Sequence, residues 1–291
     1  MRKLPTHDSF RSGPTGRDAQ RLKSDTLIEI DHVTFGYDAE RTILRDVSMT
    51  FRRGQVTAIL GGSGCGKTTL LRLIGGVYPP NQGRIVFDGE QVDTRDKDQL
   101  FRQRRRLGML FQFGALFTDL TVFENVAFPL REHFPDLPES AIRDIALMKL
   151  NAVGLRGAAA LRISQVSGGM ARRIALARAI SLDPELIMYD EPFAGLDPIS
   201  MGVTANLIRK LNDATGSTSL VVSHDVQECF QIVDYAYLMR AGGTIVAEGT
   251  PAELSRSDDP EVRQFIRGEP DGPVKFHYPA PPLAQDLGAG A

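Results

Sequence analysis

The segment 61–68 restricts the fold of this chain more than any other feature of its sequence. It reads GGSGCGKT and matches the pattern G-x-x-x-x-G-K-[ST] at every position. The glycines let the backbone curl so that successive N–H groups face one anion. Lys67 can then reach the outer phosphates, and the Thr68 hydroxyl can bind Mg²⁺. Because an apolar run at 56–60 precedes the loop and a helical pattern at 68–74 follows it, we predict a strand, a phosphate-binding loop and a helix.

A second apolar run, at 186–189, leads directly into the carboxylates of Asp190 and Glu191. The carboxyl ends of parallel strands are where open α/β sheets bind ligands. We expect Asp190 to hold Mg²⁺, mainly through water. We expect Glu191 to orient and polarise an attacking water, a role worth typically about 10²- to 10⁴-fold in rate. The alternative is a pair that only caps the next turn, which the phosphate loop upstream makes the weaker interpretation.

The segment 166–170 is a third candidate anion site. Ser167, Gly168 and Gly169 open a predicted helix, and the N–H groups and dipole of a helix start attract anions. Taken alone, the pattern is more typical of a plain helix cap.

Strand and helix patterns alternate along most of the chain. Strands are predicted at 27–35, 43–51, 56–60, 84–88, 107–111, 186–189 and 218–223, with a hairpin at 235–239 and 243–247. Helices are predicted at 68–74, 93–106, 139–152, 171–181, 202–215, 225–233, 251–254 and 260–266. Such alternation is typical of an α/β fold with a mainly parallel sheet and right-handed crossovers. The segment at about 115–165 is mostly helical and indicates a helical insertion.

Composition argues against several classes of protein. The 34 Lys and Arg against 36 Asp and Glu give a formal net charge of −2, so net positive charge cannot hold a polyanion such as nucleic acid. Two cysteines provide no disulfide framework. The first residues lack the apolar region of a secretory signal, and no stretch approaches the roughly 20 apolar residues of a membrane span. Any role at a membrane is therefore expected to be peripheral.

The two ends of the chain differ in composition from the middle. Residues 1–25 carry six Lys and Arg against three Asp and are interpreted as a basic flexible extension. An unselected tail and a contact with acidic lipid head groups are equal alternatives for it. The segment 268–291 holds five prolines, a composition typical of disorder. Phe276 and Tyr278 are nevertheless bulky anchors in an extended segment that suits a groove.

Six motifs occur in one order and together point to a family. They are the phosphate loop, Gln112, 166–170, 186–191, 194–197 and His224. In this order the chain resembles the nucleotide-binding subunits of ABC transporters over residues 27–266. The resemblance implies a P-loop NTPase ABC cassette with a mainly parallel core sheet, an N-terminal antiparallel β part and the helical insertion.

The same resemblance implies a role for each residue of the site. Glu191, His224, Lys67 and Gln112 would act in ATP hydrolysis. Mg²⁺ would be held by Thr68, Gln112 and Asp190. The ring of Tyr37 would stack on adenine, a contact worth roughly 1–3 kcal/mol, although a surface tyrosine is the simpler alternative. The implied ATP contacts are Tyr37, Gly61, Gly62, Ser63, Gly64, Cys65, Gly66, Lys67, Thr68, Thr69, Ser167, Gly168, Gly169 and Asp197.

Subunits of this family pair head to tail, so one subunit's signature residues Ser167, Gly168 and Gly169 would face the ATP held by the other. A homodimer with two competent sites is the simplest arrangement for this chain. Two departures from the family stand out. Met170 replaces the usual glutamine or glutamate, and Ala194 replaces a serine upstream of Asp197, which removes a hydroxyl contact.

Cys65 lies inside the phosphate loop, next to a predicted helix start and to Lys67. Both neighbours should lower the pKa of its thiol. Our hypothesis is that alkylation of Cys65 blocks ATP binding unless ATP is already bound. A small residue of no consequence is an equal alternative.

Four stretches narrow the resemblance to one branch of the family. The segments 111–133, 167–173, 190–199 and 271–280 resemble the ATPases of Mla phospholipid transport systems, the toluene-tolerance type, of Gram-negative inner membranes. This implies an integral permease dimer, a periplasmic lipid-binding ring reached through the permease, a small STAS-domain protein on the helical insertion, and no nucleic acid. The chain would act peripherally on the cytoplasmic side of the inner membrane. We also predict that its C-terminal segment docks on the neighbouring ATPase.

Three alternatives remain open from the sequence. An ATPase of a lipopolysaccharide exporter shares part of the 190–199 stretch. A soluble ABC-type ATPase of DNA repair or translation belongs to another class, and this chain has neither coiled-coil heptads nor a second phosphate loop. A nucleotide-sensing module is less consistent with the intact Glu191.

Overall fold

The computed structural model describes residues 25–38 and 40–274. The strands are β1 (Thr26–Gly36), β2 (Thr42–Arg52), β3 (Val56–Gly61), β4 (Gln82–Phe87), β5 (Glu90–Gln91), β6 (Leu107–Leu110), β7 (Leu186–Asp190), β8 (Thr218–Ser223), β9 (Tyr235–Arg240) and β10 (Thr244–Gly249). The helices are α1 (Lys67–Ile74), α2 (Lys97–Arg105), α3 (Val122–His133), α4 (Glu139–Ala152), α5 (Gly168–Ala179), α6 (Pro198–Thr215), α7 (Val226–Phe230), α8 (Pro251–Ser255) and α9 (Pro260–Arg267). The predictions for 1–24, Phe276 and Tyr278 lie outside the described residues.

The strands form two sheets, as the fold prediction requires. The larger sheet has the order β10-β9-β3-β8-β7-β6. Its neighbours from β9 to β6 are parallel, and β10 alone pairs antiparallel, on β9. The smaller sheet, β2-β1-β4-β5, is antiparallel throughout. The predicted mainly parallel core and N-terminal antiparallel part are both confirmed.

The central strands of the large sheet are buried on both faces. Every residue of β3, β7 and β8 is buried, which explains their unbroken apolar runs. Successive side chains point to opposite faces. Ile187 and Tyr189 therefore belong to the core shared with the helical part, whereas Met188 belongs to the core shared with the small sheet. This packing fixes where β7 ends and its carboxylates emerge.

The helical insertion is confirmed, and its helices pack on α5. A complete capping box joins Thr121 and Glu124 at the start of α3, as their spacing predicts. Helix α4 begins and ends at the predicted residues. Both α3 and α4 contact α5, so the helix that carries the 166–170 segment links the insertion to the sheet.

Four of the predicted helices need corrected boundaries. Helix α2 begins at Lys97, because the Asp96 side chain caps it by accepting from the N–H groups of Asp98 and Gln99. Helix α5 begins at Gly168, three residues earlier than predicted, and ends at Ala179, two residues earlier than predicted. Helix α6 begins at Pro198, since Asp197 caps it and proline suits the first helical position. Helix α7 covers only Val226–Phe230.

An ion-pair cluster joins the two sheets below the site. Arg106, just before β6, donates to Glu185 at 2.8 Å, and Arg53 after β2 reaches the same carboxylate at 3.4 Å. Both arginines also pair with Asp88, which follows β4. The cluster ties the antiparallel part to the entrance of β7. In the part of the chain that the structure describes, no helix has the length and apolar character needed to cross a membrane.

Candidate active site

The phosphate-binding loop connects β3 to α1, as the sequence predicts. Gly66 has a φ of 104° and immediately precedes α1. A Cβ there would lie 2.7 Å from the Leu44 side chain, so only glycine fits. No side chain caps the start of α1, which leaves its first N–H groups directed at the loop. The loop therefore has the conformation that its glycines require to bind an anion.

Lys67 is buried at the base of this loop. Its ammonium donates to the carbonyl of Gly61 at 2.7 Å and to that of Gly62 at 3.1 Å. Its Nζ also lies 3.5 Å from Oε1 of Glu191. The side chain is 6% exposed, so its charge is compensated by these oxygens. The structure thus places the predicted lysine and the predicted catalytic carboxylate side by side.

Thr68 and Asp190 meet across the site, although 122 positions separate them. The Thr68 hydroxyl donates to Oδ1 of Asp190 at 3.0 Å. Burial raises the pKa of Asp190 above its ordinary value, and the Thr68 hydrogen bond opposes this shift. Hydroxyl, carboxylate and amide oxygens are ligands that Mg²⁺ prefers. The donor set of Thr68, Asp190 and Gln112 therefore fits this ion.

Glu191 is held by the strand next to its own. Its Oε2 accepts from the Ser223 hydroxyl at 3.2 Å and lies 2.9 Å from Nδ1 of His224. Ser223 ends β8, and β8 is the neighbour of β7. His224 was predicted from the sequence and Ser223 was not, although the position of Ser223 directly before the histidine was a usable signal. Ser223 at the end of β8 and His224 in the turn after it thus orient the carboxylate of Glu191.

One cavity of about 670 Å³ brings most of the predicted site residues together. Its predicted members are Tyr37, Gly62, Ser63, Gly64, Gly66, Lys67, Thr68, Thr69, Gln112, Glu191 and His224. The sequence analysis missed Asp38, Arg41 and Ile43, which also line it. Asp38 and Arg41 lie in the connection from β1 to β2, Ile43 is the second residue of β2, and no motif marks them.

Tyr37 is fixed at one side of the cavity. Its hydroxyl lies 3.1 Å from Oγ1 of Thr69 and accepts from Arg72 at 3.1 Å. Phe35 and Tyr78 pack edge-on against its ring, with centroids 5.1 and 5.5 Å away. The side chain remains 48% exposed, so a ring face is available for stacking.

The predicted lowering of the Cys65 pKa is wrong. Cys65 is 1% exposed, and burial raises the pKa of its thiol even though Lys67 acts in the opposite direction. Its Sγ packs against Gly61 so closely that a Cβ on that glycine would lie 2.7 Å away. Desolvation of the thiolate outweighs the nearby positive charge. The buried side chain of Cys65 therefore packs against the backbone of the phosphate-binding loop.

The residues of the 166–170 segment do not line the cavity of their own chain. Ser167 caps α5 by accepting from the N–H of Met170 at 3.2 Å, and both Ser167 and Gly168 are exposed. Asp197 is also exposed. It caps α6, and the Ser200 hydrogen bonds lower the pKa of its carboxyl. No residue of either segment is among those that line the cavity.

The chain matches a family model described as ABC transporter over residues 44–194. It is 56% identical over 264 residues to the intermembrane phospholipid transport system ATP-binding protein MlaF of Haemophilus influenzae, which covers 91% of this chain and 99% of that protein. The protein of the same name from Escherichia coli K12 is 53% identical over 265 residues, with coverages of 91% and 97%.

Two solved structures resemble the described fold. One is cbiO1 from Clostridium perfringens, part of the ABC transporter complex cbiONQ, with a TM-score of 0.74, 29% identity and coverage of 79% of this chain and 91% of that chain. The other is the dimeric post-hydrolysis state of the ATP-binding cassette MJ0796 bound to ADP and Pi, with a TM-score of 0.71, 30% identity and coverages of 77% and 99%.

Proposed function

Since this chain belongs to the ABC transporter family, we propose that it is the ATP-hydrolysing subunit of a transporter that moves phospholipids between the inner and outer membranes of a Gram-negative bacterium. The observation that carries the proposal is the cavity in which Lys67, Thr68, Gln112, Glu191 and His224 converge. The MlaF relatives are phospholipid transport ATP-binding proteins by name, and they align over nearly their whole length. Nothing in the described residues favours the lipopolysaccharide exporter.

The geometry explains how this cavity hydrolyses ATP. The loop N–H groups and Lys67 bind the outer phosphates, and charge on the transferred phosphoryl group is stabilised mainly by such fixed donors. Glu191 orients a water and takes up its proton as the water oxygen bonds to the γ-phosphorus. The bond from phosphorus to the ADP oxygen breaks. His224 and Ser223 keep the Glu191 carboxylate in place.

Mg²⁺ is the cofactor that the donor set fits. Thr68, Asp190 and Gln112 would hold it, and when bound it neutralises phosphate charge. The raised pKa of Asp190 reflects burial beside Glu191. The base of ATP is assigned to the exposed face of Tyr37.

The working unit is proposed to be a head-to-tail homodimer. The exposed Ser167 and Gly168, with Gly169, lie outside the cavity of their own chain, which is consistent with a contact to ATP held by a partner subunit. The start of α5 would present its N–H groups to that ATP. ATP would join the two subunits, and hydrolysis would release them.

A second cavity, of about 510 Å³, supports a membrane permease as partner. It is lined by the exposed rings of Phe111, Phe117 and Phe128, and Phe111 directly precedes Gln112 in the chain. An exposed aromatic groove of this kind favours a protein contact. We assign it to the permease dimer, and through the permease the chain would reach the periplasmic ring.

The remaining assignments rest on the sequence resemblance. A small STAS-domain protein is assigned to the helical insertion, and the chain is assigned to the cytoplasmic side of the inner membrane. The cassette is assigned to 27–266, flanked by the extensions 1–25 and 268–291. Close to the second boundary, the Gln264 amide exchanges two hydrogen bonds with the backbone of Val274, at 2.9 and 2.8 Å, which hold Val274 against α9.

Isolation of the full chain with its membrane partners tests this function. The expected result is an ATPase that co-purifies with an integral permease and with bound phospholipid, identified by mass spectrometry. Recovery of lipopolysaccharide instead would support the exporter. Recovery of an active ATPase with no membrane protein would support the soluble alternative.

A further inference from the structure

The guanidinium of Arg172 spans two backbone carbonyls beside the active site. Arg172 lies in the second turn of α5, and its side chain crosses to the residues that follow β7. Its Nη1 donates to the carbonyl of Glu191, and its Nη2 donates to that of Ala194, both at 2.9 Å. Arg172 is 9% exposed. A buried guanidinium therefore fastens the signature helix to the catalytic segment.

The segment that Arg172 holds has an unusual backbone. Glu191 has a φ of 48°, a left-handed conformation that is uncommon for residues other than glycine and costs free energy. Its N–H donates to Val222 at 2.8 Å, and its carbonyl accepts from Ala194 at 3.3 Å. Such a conformation persists only where neighbouring groups hold it. Arg172 adds two further hydrogen bonds to this segment, one to the carbonyl of Glu191 and one to that of Ala194.

The contacts of Arg172 suit it to orient the backbone of another segment more than to pair with an opposite charge. Among the described residues, its hydrogen bonds go to carbonyl oxygens and no carboxylate forms an ion pair with it. The planar fork of donors fixes two acceptors at once. Burial lowers the pKa of this arginine. Removing it would leave the buried carbonyl of Glu191 with only the longer bond from the Ala194 N–H, at 3.3 Å, and would take a donor from the partly buried carbonyl of Ala194. The loss of donors to such carbonyls is costly.

A second arginine of α5 holds the loop after Gln112 in the same manner. Arg178 donates to the carbonyls of Gly114 and Ala115, both at 2.8 Å. The loops that follow Gln112 and Glu191 are therefore attached to one helix. A displacement of α5 must move both loops or break these bonds.

We propose that Arg172 is a positioning residue for ATP hydrolysis, which keeps Glu191 aligned and couples it to the signature helix. Ser167 lies at the start of the same helix and is assigned to the ATP of the partner subunit. Arg172 would thus connect the signature that serves one ATP with the carboxylate that acts on the other. This inference rests on the proposed roles of Glu191 and Ser167.

The test compares Arg172→Met with Arg209→Met in the full chain purified with its permease. Methionine keeps much of the length of the side chain but donates no hydrogen bond. Arg209 is a suitable control because it bonds Asp213, Asp234 and the Ile232 carbonyl on the far side of α6. We expect kcat of Arg172→Met to fall about tenfold or more, since slight misplacement of a reacting group is costly. The KM for ATP should change by less than about threefold.

Two further variants separate positioning from a general loss of structure. Arg172→Lys retains donors and should recover part of kcat. In a Glu191→Gln background, Arg172→Met should lower the single-turnover rate by less than about twofold, because a residue that acts only through Glu191 has no further effect once that carboxylate is gone.

The possible results distinguish failure of this inference from failure of the proposed function. Normal kcat for a folded Arg172→Met protein would overturn the inference. So would an equal fractional loss with and without Glu191, or a loss of ATP binding as large as the loss of kcat. Normal turnover by Glu191→Gln alone would instead refute the proposed role of Glu191, whatever Arg172→Met does.

Discussion

The imidazole Nδ1 of His224 lies 2.9 Å from Oε2 of Glu191. The two residues are 33 positions apart in the chain, and the parallel pairing of β7 with β8 brings them together. Ser223 adds a second contact to the same carboxylate oxygen, at 3.2 Å. The proposed general base is therefore held by the neighbouring strand in advance, which reduces the cost of aligning it during the reaction.

Removal of the Tyr37 ring should weaken ATP binding. Stacking on an aromatic ring contributes roughly 1–3 kcal/mol, and about 1.4 kcal/mol corresponds to tenfold in affinity. We expect Tyr37→Ala to raise the Kd for ATP by about fivefold to 150-fold. Tyr37→Phe keeps the ring and loses only the contacts with Thr69 and Arg72, so its effect should be smaller. Calorimetric titration measures both values, and equal affinity of the alanine variant and the wild type would exclude stacking on this ring.

Cys65 should react slowly with alkylating agents in the folded protein. Its thiol is buried, and burial raises the pKa above the ordinary value, so little thiolate forms near neutral pH. We expect N-ethylmaleimide to modify Cys65 much faster in denaturant than under native conditions, as followed by mass spectrometry. Fast native modification that ATP prevents would restore the original hypothesis of a reactive thiol in the loop.

Stability should respond to pH in opposite ways at His133 and His32. Burial, with the charge of Arg105, lowers the pKa of His133, so the unfolded chain takes up the proton first and stability falls as the pH drops below about 6.5. A hydrogen bond to Asp46 raises the pKa of His32. Its stabilisation is fully present below about pH 6.5 and is lost as the pH rises through the higher folded value.

Thermal melts at pH 8 and pH 5.5 check this prediction. His133→Phe should lose less Tm on acidification than the wild type, whereas His32→Gln should lose more. The same pH response in both variants and the wild type would mean that neither histidine titrates as described.

Gly243 should tolerate a side chain far less well than its neighbour Gly242, although both have a left-handed backbone. Gly243 has a φ of 72°, and a Cβ there would lie 1.8 Å from the carbonyl oxygen of Ile43. Gly242 has a φ of 93° with nothing within 4 Å of its Cβ position. We expect Gly243→Ala to cost more than about 2 kcal/mol beyond Gly242→Ala, a difference of roughly 2–4 °C in Tm for each kcal/mol. Equal melting temperatures would show that β2 moves aside.

The elements of this fold follow closely from local sequence signals. The apolar runs of β3, β7 and β8 are long enough to mark buried parallel strands, and the Thr121–Glu124 capping box marks the start of α3. The start of α6 was missed, although Asp197 and Pro198 are a usual cap and first residue. The apolar periodicity alone places this start four residues later, at 202, than the capped start at Pro198.

The contacts that shift the pKa values of the site residues and orient their side chains are harder to predict from the sequence. The raised pKa of Cys65 depends on how closely the loop packs, and a helix start beside a lysine indicates the opposite shift. Ser223 and Arg172 reach Glu191 from 32 and 19 positions away. Sequence motifs indicate which residues contact phosphate, but only the fold shows which other residues hold those residues in place.

ATP-dependent transfer of phospholipid is the measurement that decides whether hydrolysis at Glu191 powers transport. The full chain and its permease complex, reconstituted in vesicles, would be supplied with fluorescent phospholipid, ATP and Mg²⁺, with Glu191→Gln as the matched variant. We predict that the wild type moves phospholipid only when ATP is hydrolysed and that Glu191→Gln binds ATP yet moves none. Equal transfer by the two proteins, or transfer by the wild type without ATP, would contradict the claim that hydrolysis at Glu191 powers transport.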